Sequence, residues 1–134
     1  MSSRDNQMKA AGRAALLALA LAAAAGPAAA MDIATFLPRA QALKAKGPLA
    51  MFSPDAGVLL GEINAATKQL RDERLAAKAA GRPQAYCPPP GAKTSLNTDE
   101  LIAAAEAVPP GQRARTDLKD VLRGIYAKHN PCPA

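Results

Sequence analysis

Apolar residues recur at every third or fourth position in four stretches of the chain, the spacing of one face of an α-helix. The clearest stripe lies near the C-terminus, where Leu118, Val121, Leu122 and Ile125 follow the i, i+3, i+4, i+7 rule. Valine and isoleucine are scarce, alanine is abundant, and no stretch alternates β-branched with polar residues as a half-buried strand would. The pattern therefore predicts a small all-α bundle of about four helices.

Capping residues, prolines and glycines set the predicted ends of these helices. Ser53-Pro54 is a typical helix start, and Gly81 followed by Pro83 is a typical stop. Asn97 with Glu100 has the spacing of a capping box. The four helices are predicted to span residues 35–46, 54–80, 97–108 and 116–129.

The start of the first helix is predicted from Pro38. Proline lacks an N–H and crowds the preceding turn, so it fits the first turn of a helix but not its interior. The helix is therefore expected to begin near Thr35, which places Pro38 in that first turn.

Residues 1–30 have the layout of a secretory signal peptide. A basic start is followed by the 12-residue apolar run Ala14–Ala25 and then by three alanines at 28–30. Roughly 20 apolar residues are needed to span a bilayer, so the run is short for an anchor. Cleavage after Ala30 is expected to leave one exported domain, residues 31–134, without stable membrane insertion. An uncleaved membrane anchor is the alternative.

Charge in the predicted domain argues against nucleic-acid binding. The chain has a net charge of +6, but residues 1–30 hold three of its 17 basic and one of its 11 acidic residues, which leaves +4. Basic and acidic residues are interleaved, as in KQLRDER at 68–74, and do not form a basic block. Aromatic residues for base stacking are few. They are Phe36, Phe52, Tyr86 and Tyr126.

Cys87 and Cys132 are the only cysteines in the chain. An exported protein keeps its thiols oxidised, so an intramolecular structural disulfide is predicted. The separation of the two residues excludes a Cys-x-x-Cys redox motif, and a zinc site would need about four ligands where only His129 is close in sequence. Intermolecular pairing remains open.

The sequence contains no enzyme signature, and no catalytic activity, metal or cofactor is expected. The single histidine, His129, lies at a predicted helix C-terminus, where it interacts favourably with the helix dipole. Ser53 and Ser95 lie beside helix ends and are interpreted as capping or turn residues. Asp99 and Glu100 are adjacent, so on a helix they point in different directions. Gly-rich phosphate loops are missing.

A proline-stiffened segment, VPPGQRART at 108–116, joins the last two predicted helices. Gln112, Arg113 and Arg115 are expected to project from it, and a rigid loop that carries arginines suits protein recognition. These three residues are the candidate partner-binding residues. The alternative is a solvated connector.

The motifs YCPPPG at 86–91 and NPC at 130–132 enclose two helical stretches separated by a proline break. In this respect residues 82–134 resemble the C-terminal half of the Rap/Tai immunity proteins. The earlier segment Leu59–Ile63 lacks the cysteine and tyrosine that members usually carry there. The resemblance makes Cys87 and Cys132 the family's C-terminal disulfide.

The resemblance also implies a function. It implies a periplasmic protein that binds and occludes a type VI secretion effector, in particular a peptidoglycan amidase, and that performs no chemistry itself. A homodimer is left open. The alternative is a structural or envelope-associated helical protein without a toxin partner.

Overall fold

The computed structural model describes residues 30–93 and 95–134, in which four α-helices and two short 3-10 segments follow one another. The helices are α1 (Ile33–Ala45), α2 (Pro54–Ala79), α3 (Thr98–Glu106) and α4 (Leu118–His129). The 3-10 segments are Gly47–Phe52 and Pro110–Arg115. Within the described residues the only β pairing is a single bridge between Asp32 and Asp117, so the predicted all-α class is confirmed. The predicted signal peptide lies outside the described residues except for Ala30.

The four helices are arranged as a ring in the order α1, α2, α4, α3, and each packs on its two neighbours. Backbone hydrogen bonds also join the start of α1 to the start of α4. The Ile33 N–H donates to the Thr116 carbonyl (2.9 Å), and the Leu118 N–H donates to the Met31 carbonyl (2.8 Å). These bonds therefore connect the first and last helices directly, although the two are not neighbours in the ring and are far apart in sequence.

The helices share one hydrophobic core. Its largest fully buried side chains are Phe36, Ile33, Leu70, Leu118 and Leu122. The apolar spacing in the predicted helix 54–80 corresponds to one buried face of α2, because Leu59, Ala66 and Leu70 are buried and Ile63 packs against them. The stripe predicted for α4 is confirmed in the same way, with Val121 as its half-buried member.

The predicted start of α1 is wrong by two residues. Asp32 caps the helix, and its carboxylate accepts hydrogen bonds from the Thr35 backbone N–H (2.9 Å) and hydroxyl (3.1 Å). Burial of Ile33 favours this earlier start. Pro38 consequently lies inside the helix. The carbonyl left without a donor belongs to Ala34, which is exposed, so water can satisfy it.

The start of α2 at Pro54 is confirmed, although Ser53 does not cap it with its side chain. The Ser53 hydroxyl instead accepts a hydrogen bond from the Lys46 ammonium (3.2 Å). The other end is confirmed at Gly81, whose φ of +67° favours glycine. There the Arg82 N–H donates to the Ala77 carbonyl and the Gly81 N–H to the Lys78 carbonyl, the Schellman pattern.

At the start of α3 only half of the predicted capping box forms. The Asn97 side chain accepts from the N–H groups of Asp99 (2.8 Å) and Glu100 (3.3 Å), as predicted. The Glu100 carboxylate contacts His129 of α4 instead of returning to the Asn97 backbone. A contact between helices has thus replaced the local one.

Candidate functional site

The Cys87–Cys132 disulfide joins the segment before α3 to the segment after α4. The sulfurs are 2.04 Å apart and the Cα atoms 4.8 Å apart, so the predicted intramolecular pairing is confirmed. Beside it, the Cys87 N–H donates to the Asn130 carbonyl (2.8 Å). The bond therefore fixes both ends of the unit formed by α3 and α4.

Two buried tyrosines support this unit from the side of α2. The rings of Tyr86 and Tyr126 lie 5.4 Å apart, and the Tyr126 hydroxyl is 2.9 Å from the Thr67 hydroxyl. The Arg74 guanidinium lies over the Tyr86 ring at 5.5 Å from its centre, within the range of a cation–π contact. The disulfide, the aromatic pair and α2 therefore form one rigid corner of the molecule.

The candidate partner-binding residues lie in the second 3-10 segment, where they differ in orientation. Gln112 and Arg115 are exposed, and Arg115 donates only to the nearby Gly111 carbonyl (3.3 Å). Arg113 is turned inward: its guanidinium donates to the carbonyls of Val108 (2.9 Å) and Glu106 (3.0 Å). Arg113 therefore caps the C-terminus of α3, which leaves Gln112 and Arg115 as the residues accessible to a partner.

Replacing Arg113 with alanine is expected to lower the free energy of unfolding by about 1–2 kcal/mol, because two carbonyls at the end of α3 lose a charged donor. Arg115→Ala removes the same charge from an exposed position and should change stability by less than about 0.5 kcal/mol. Urea unfolding of the two variants measures the difference. Equal losses in both would contradict the capping role of Arg113.

An open groove of about 620 Å³ runs between α3 and α4, and we call it the α3–α4 groove. Its walls are mostly small or apolar residues, and Gln112, Thr116 and Asp120 stand at one end, where Arg115 is the chain neighbour of Thr116. The apolar lining residues are Ala103, Ala104, Ala107, Val108, Pro109, Val121, Gly124 and Ile125. A groove of this composition suits an apolar side chain or a helix ridge of a protein partner.

The other end of the α3–α4 groove is charged. The Glu100 carboxylate lies 2.8 Å from Nε2 of His129 and 3.5 Å from the Lys128 ammonium. The hydrogen bond with His129 holds the pKa of Glu100 below its usual value, so this carboxylate stays ionised at neutral pH. The groove therefore has an apolar floor between a polar end and an ionic end.

In the part of the chain that the structure describes, no group of three or more histidine, cysteine, aspartate or glutamate residues is placed to hold a metal ion. Among the helices of residues 30–93 and 95–134, none has the length and apolar character needed to cross a bilayer. Comparison with family models, curated proteins and solved structures finds no match to this chain.

Proposed function

We propose that this chain is a periplasmic binding protein of the immunity type, which neutralises a type VI secretion effector, a cell-wall amidase, by stoichiometric occlusion. The observation that carries the proposal is the Cys87–Cys132 disulfide. It closes the same C-terminal half in which the sequence resembles the Rap/Tai proteins, and it joins the residues that this resemblance pairs. Disulfides of this kind are typical of oxidising compartments such as the periplasm.

The architecture supports binding without chemistry. The disulfide and the Tyr86–Tyr126 pair hold α3 and α4 in place before any partner arrives. A surface fixed in advance loses little conformational entropy on binding, which favours tight complexes. In the proposed complex the α3–α4 groove receives apolar side chains of the effector. Gln112 and Arg115 contact polar groups of the effector at the rim of the interface.

Affinity capture tests the function directly. The protein is produced with its leader, recovered from the periplasm, and used as bait in effector-producing cells. Its intact mass should show a chain beginning at Met31. The expected partner is an amidase that cleaves purified peptidoglycan and loses activity when one equivalent of the bait is added. A captured amidase that stays active at saturation, or a partner without hydrolase activity, would contradict the proposal.

Filling the α3–α4 groove should weaken this complex by at least about tenfold, since one well-placed apolar contact is worth that much. Gly124 lies in the groove on α4, and a Cβ atom added there has no other atom within 4 Å beyond its own helix backbone and chain neighbours. Gly124→Leu is therefore expected to fold and to block the groove.

The matched control for this variant is Gly61→Leu. Gly61 is an exposed helical glycine on α2 with equally free surroundings, and it lies outside the groove. Isothermal titration of both variants with the captured amidase measures the contrast. Unchanged affinity for Gly124→Leu would place the binding surface elsewhere.

A further inference from the structure

Most of the exposed large apolar side chains lie near the start of α2 and in the segment before it. In the described residues the exposed ones are Leu49, Met51, Phe52, Val58, Leu60 and Leu75. Three of them lie in the 3-10 segment Gly47–Phe52, and we call this segment the apolar tip. Leu49, Met51 and Phe52 are 68%, 75% and 80% exposed, so they contribute little to the folded core.

The backbone holds the apolar tip in a defined conformation. Gly47 starts it with a φ of +55°, which few other residues adopt. The Leu49 N–H donates to the Lys46 carbonyl (3.3 Å), and the Ser53 N–H donates to the Ala50 carbonyl (2.9 Å). The segment packs on both α1 and α2, between which it lies. The three side chains are therefore presented outward by an ordered turn.

The charge around the apolar tip is positive. Residues 44–54 contain Lys44 and Lys46 and no acid. Among the residues that the structure describes, the Lys46 ammonium bonds only the Ser53 hydroxyl (3.2 Å), a neutral partner that does not compensate its charge beside the tip. Two nearby acids are paired with basic residues, Asp55 with Arg39 at 3.7 Å and Asp99 with Lys44 at 2.9 Å. The surface thus combines exposed apolar groups with an unneutralised cation.

We propose that the apolar tip docks on an anionic lipid surface, in a role separate from that of the α3–α4 groove. Apolar side chains next to basic ones are the combination that enters the boundary between headgroups and acyl chains, to a depth of about 5–10 Å. Lys46 then meets anionic headgroups. Leu60, which lies about 9 Å beyond Pro54 along α2 and lines a pocket together with Gly47 and Ala50 of the tip, extends the apolar contact.

The shape of the surface favours a lipid over a second copy of the chain. A stable protein interface needs roughly 800 Å² from each partner, contributed by about 20–30 residues. The tip and Leu60 offer only four large apolar side chains, and three of them stand out from one six-residue turn with exposed fractions of 68% or more. A deformable bilayer can surround such a protrusion without a matching cavity.

A vesicle-binding experiment tests this proposal on the purified protein. Cosedimentation compares vesicles of phosphatidylglycerol mixed with phosphatidylcholine against vesicles of phosphatidylcholine alone. The chain contains no tryptophan, so Phe52→Trp provides a single fluorescent reporter. We expect binding to the anionic vesicles, a blue shift of the indole emission of this variant on binding, and weakening with added salt.

Variants separate the two parts of the interaction. Met51→Ser/Phe52→Ser should lower partitioning at least about tenfold through lost apolar burial, and Lys46→Gln about fivefold at low salt. Leu75→Ser is the matched control, because it removes an exposed apolar side chain far along α2 and should leave partitioning unchanged.

Three results would overturn the proposal. One is no binding to anionic vesicles, and another is equal binding to both vesicle types. The third is a dimer in solution that Met51→Ser/Phe52→Ser dissociates while vesicles are ignored, since this would assign the tip to a second copy of the chain.

Discussion

Loss of the Cys87–Cys132 disulfide is expected to lower the free energy of unfolding by about 4 kcal/mol. The bond closes a loop across 45 positions, and the chain-entropy model assigns about this stabilisation to such a loop. Domains of this size have total stabilities of about 5–15 kcal/mol. Leucine, isoleucine, valine and phenylalanine make up only 20 of residues 31–134, so the core has little excess stability to compensate.

Thermal unfolding with and without reductant measures this effect, and the midpoint should fall by more than about 15 °C. Cys87→Ser, Cys132→Ser and the double variant should be destabilised equally, because each lacks the same cross-link. The double variant also serves as the control, since reductant should leave its melting curve unchanged. Two free thiols in the native protein, or identical melting curves for wild type in both conditions, would contradict the structural role.

Tyr126→Ala is expected to lower the free energy of unfolding by about 3–5 kcal/mol, the range for removal of a large buried aromatic side chain. Tyr126 is only 3% exposed, and its ring packs against Tyr86 beside the disulfide. Removing it leaves a cavity where α2, α4 and the segment before α3 meet. Urea unfolding at neutral pH gives the value, and a loss below about 1 kcal/mol would contradict this packing role.

The hydroxyl of Tyr126 can be tested separately from its ring. Tyr126→Phe and Thr67→Val each remove the 2.9 Å hydrogen bond between the two hydroxyls and should each lower stability by about 1 kcal/mol. In the double variant both polar partners are gone, so its loss should be well below the sum of the two singles. Additive losses would show that the two hydroxyls do not interact.

The helices could be predicted from the sequence because their signals are local. Pro54, Gly81 and Asn97 mark helix ends through their own backbone and side-chain preferences, and the structure places the ends there. The predicted start of α1 is wrong because the Asp32 cap sets the helix start, and Pro38 does not. Asp32 is a strong N-cap three residues before a threonine, and the burial of Ile33 offsets the lost hydrogen bond at Pro38.

The candidate site was only partly predictable. Two cysteines leave one intramolecular pairing, so the disulfide could be predicted from the composition together with the predicted export. Arg113 turns inward because unpaired carbonyl groups at the end of α3 lie within its reach, and their position depends on where the helix ends. The Glu100–His129 contact depends on the packing of two helices, since it joins residues 29 positions apart. The α3–α4 groove has no sequence signal of its own, because it arises from the packing of two helices.

The hydrogen bond between the Met31 carbonyl and the Leu118 N–H has a consequence for the order of events during maturation. The predicted cleavage site, between Ala30 and Met31, is adjacent to a backbone that is paired with the start of α4 once the domain has folded. A peptidase needs this backbone free and extended, so it competes with the docking of α4. We therefore expect a peptidase that removes the predicted leader to act fastest while α4 is still undocked, and to cleave a folded chain only when this corner opens.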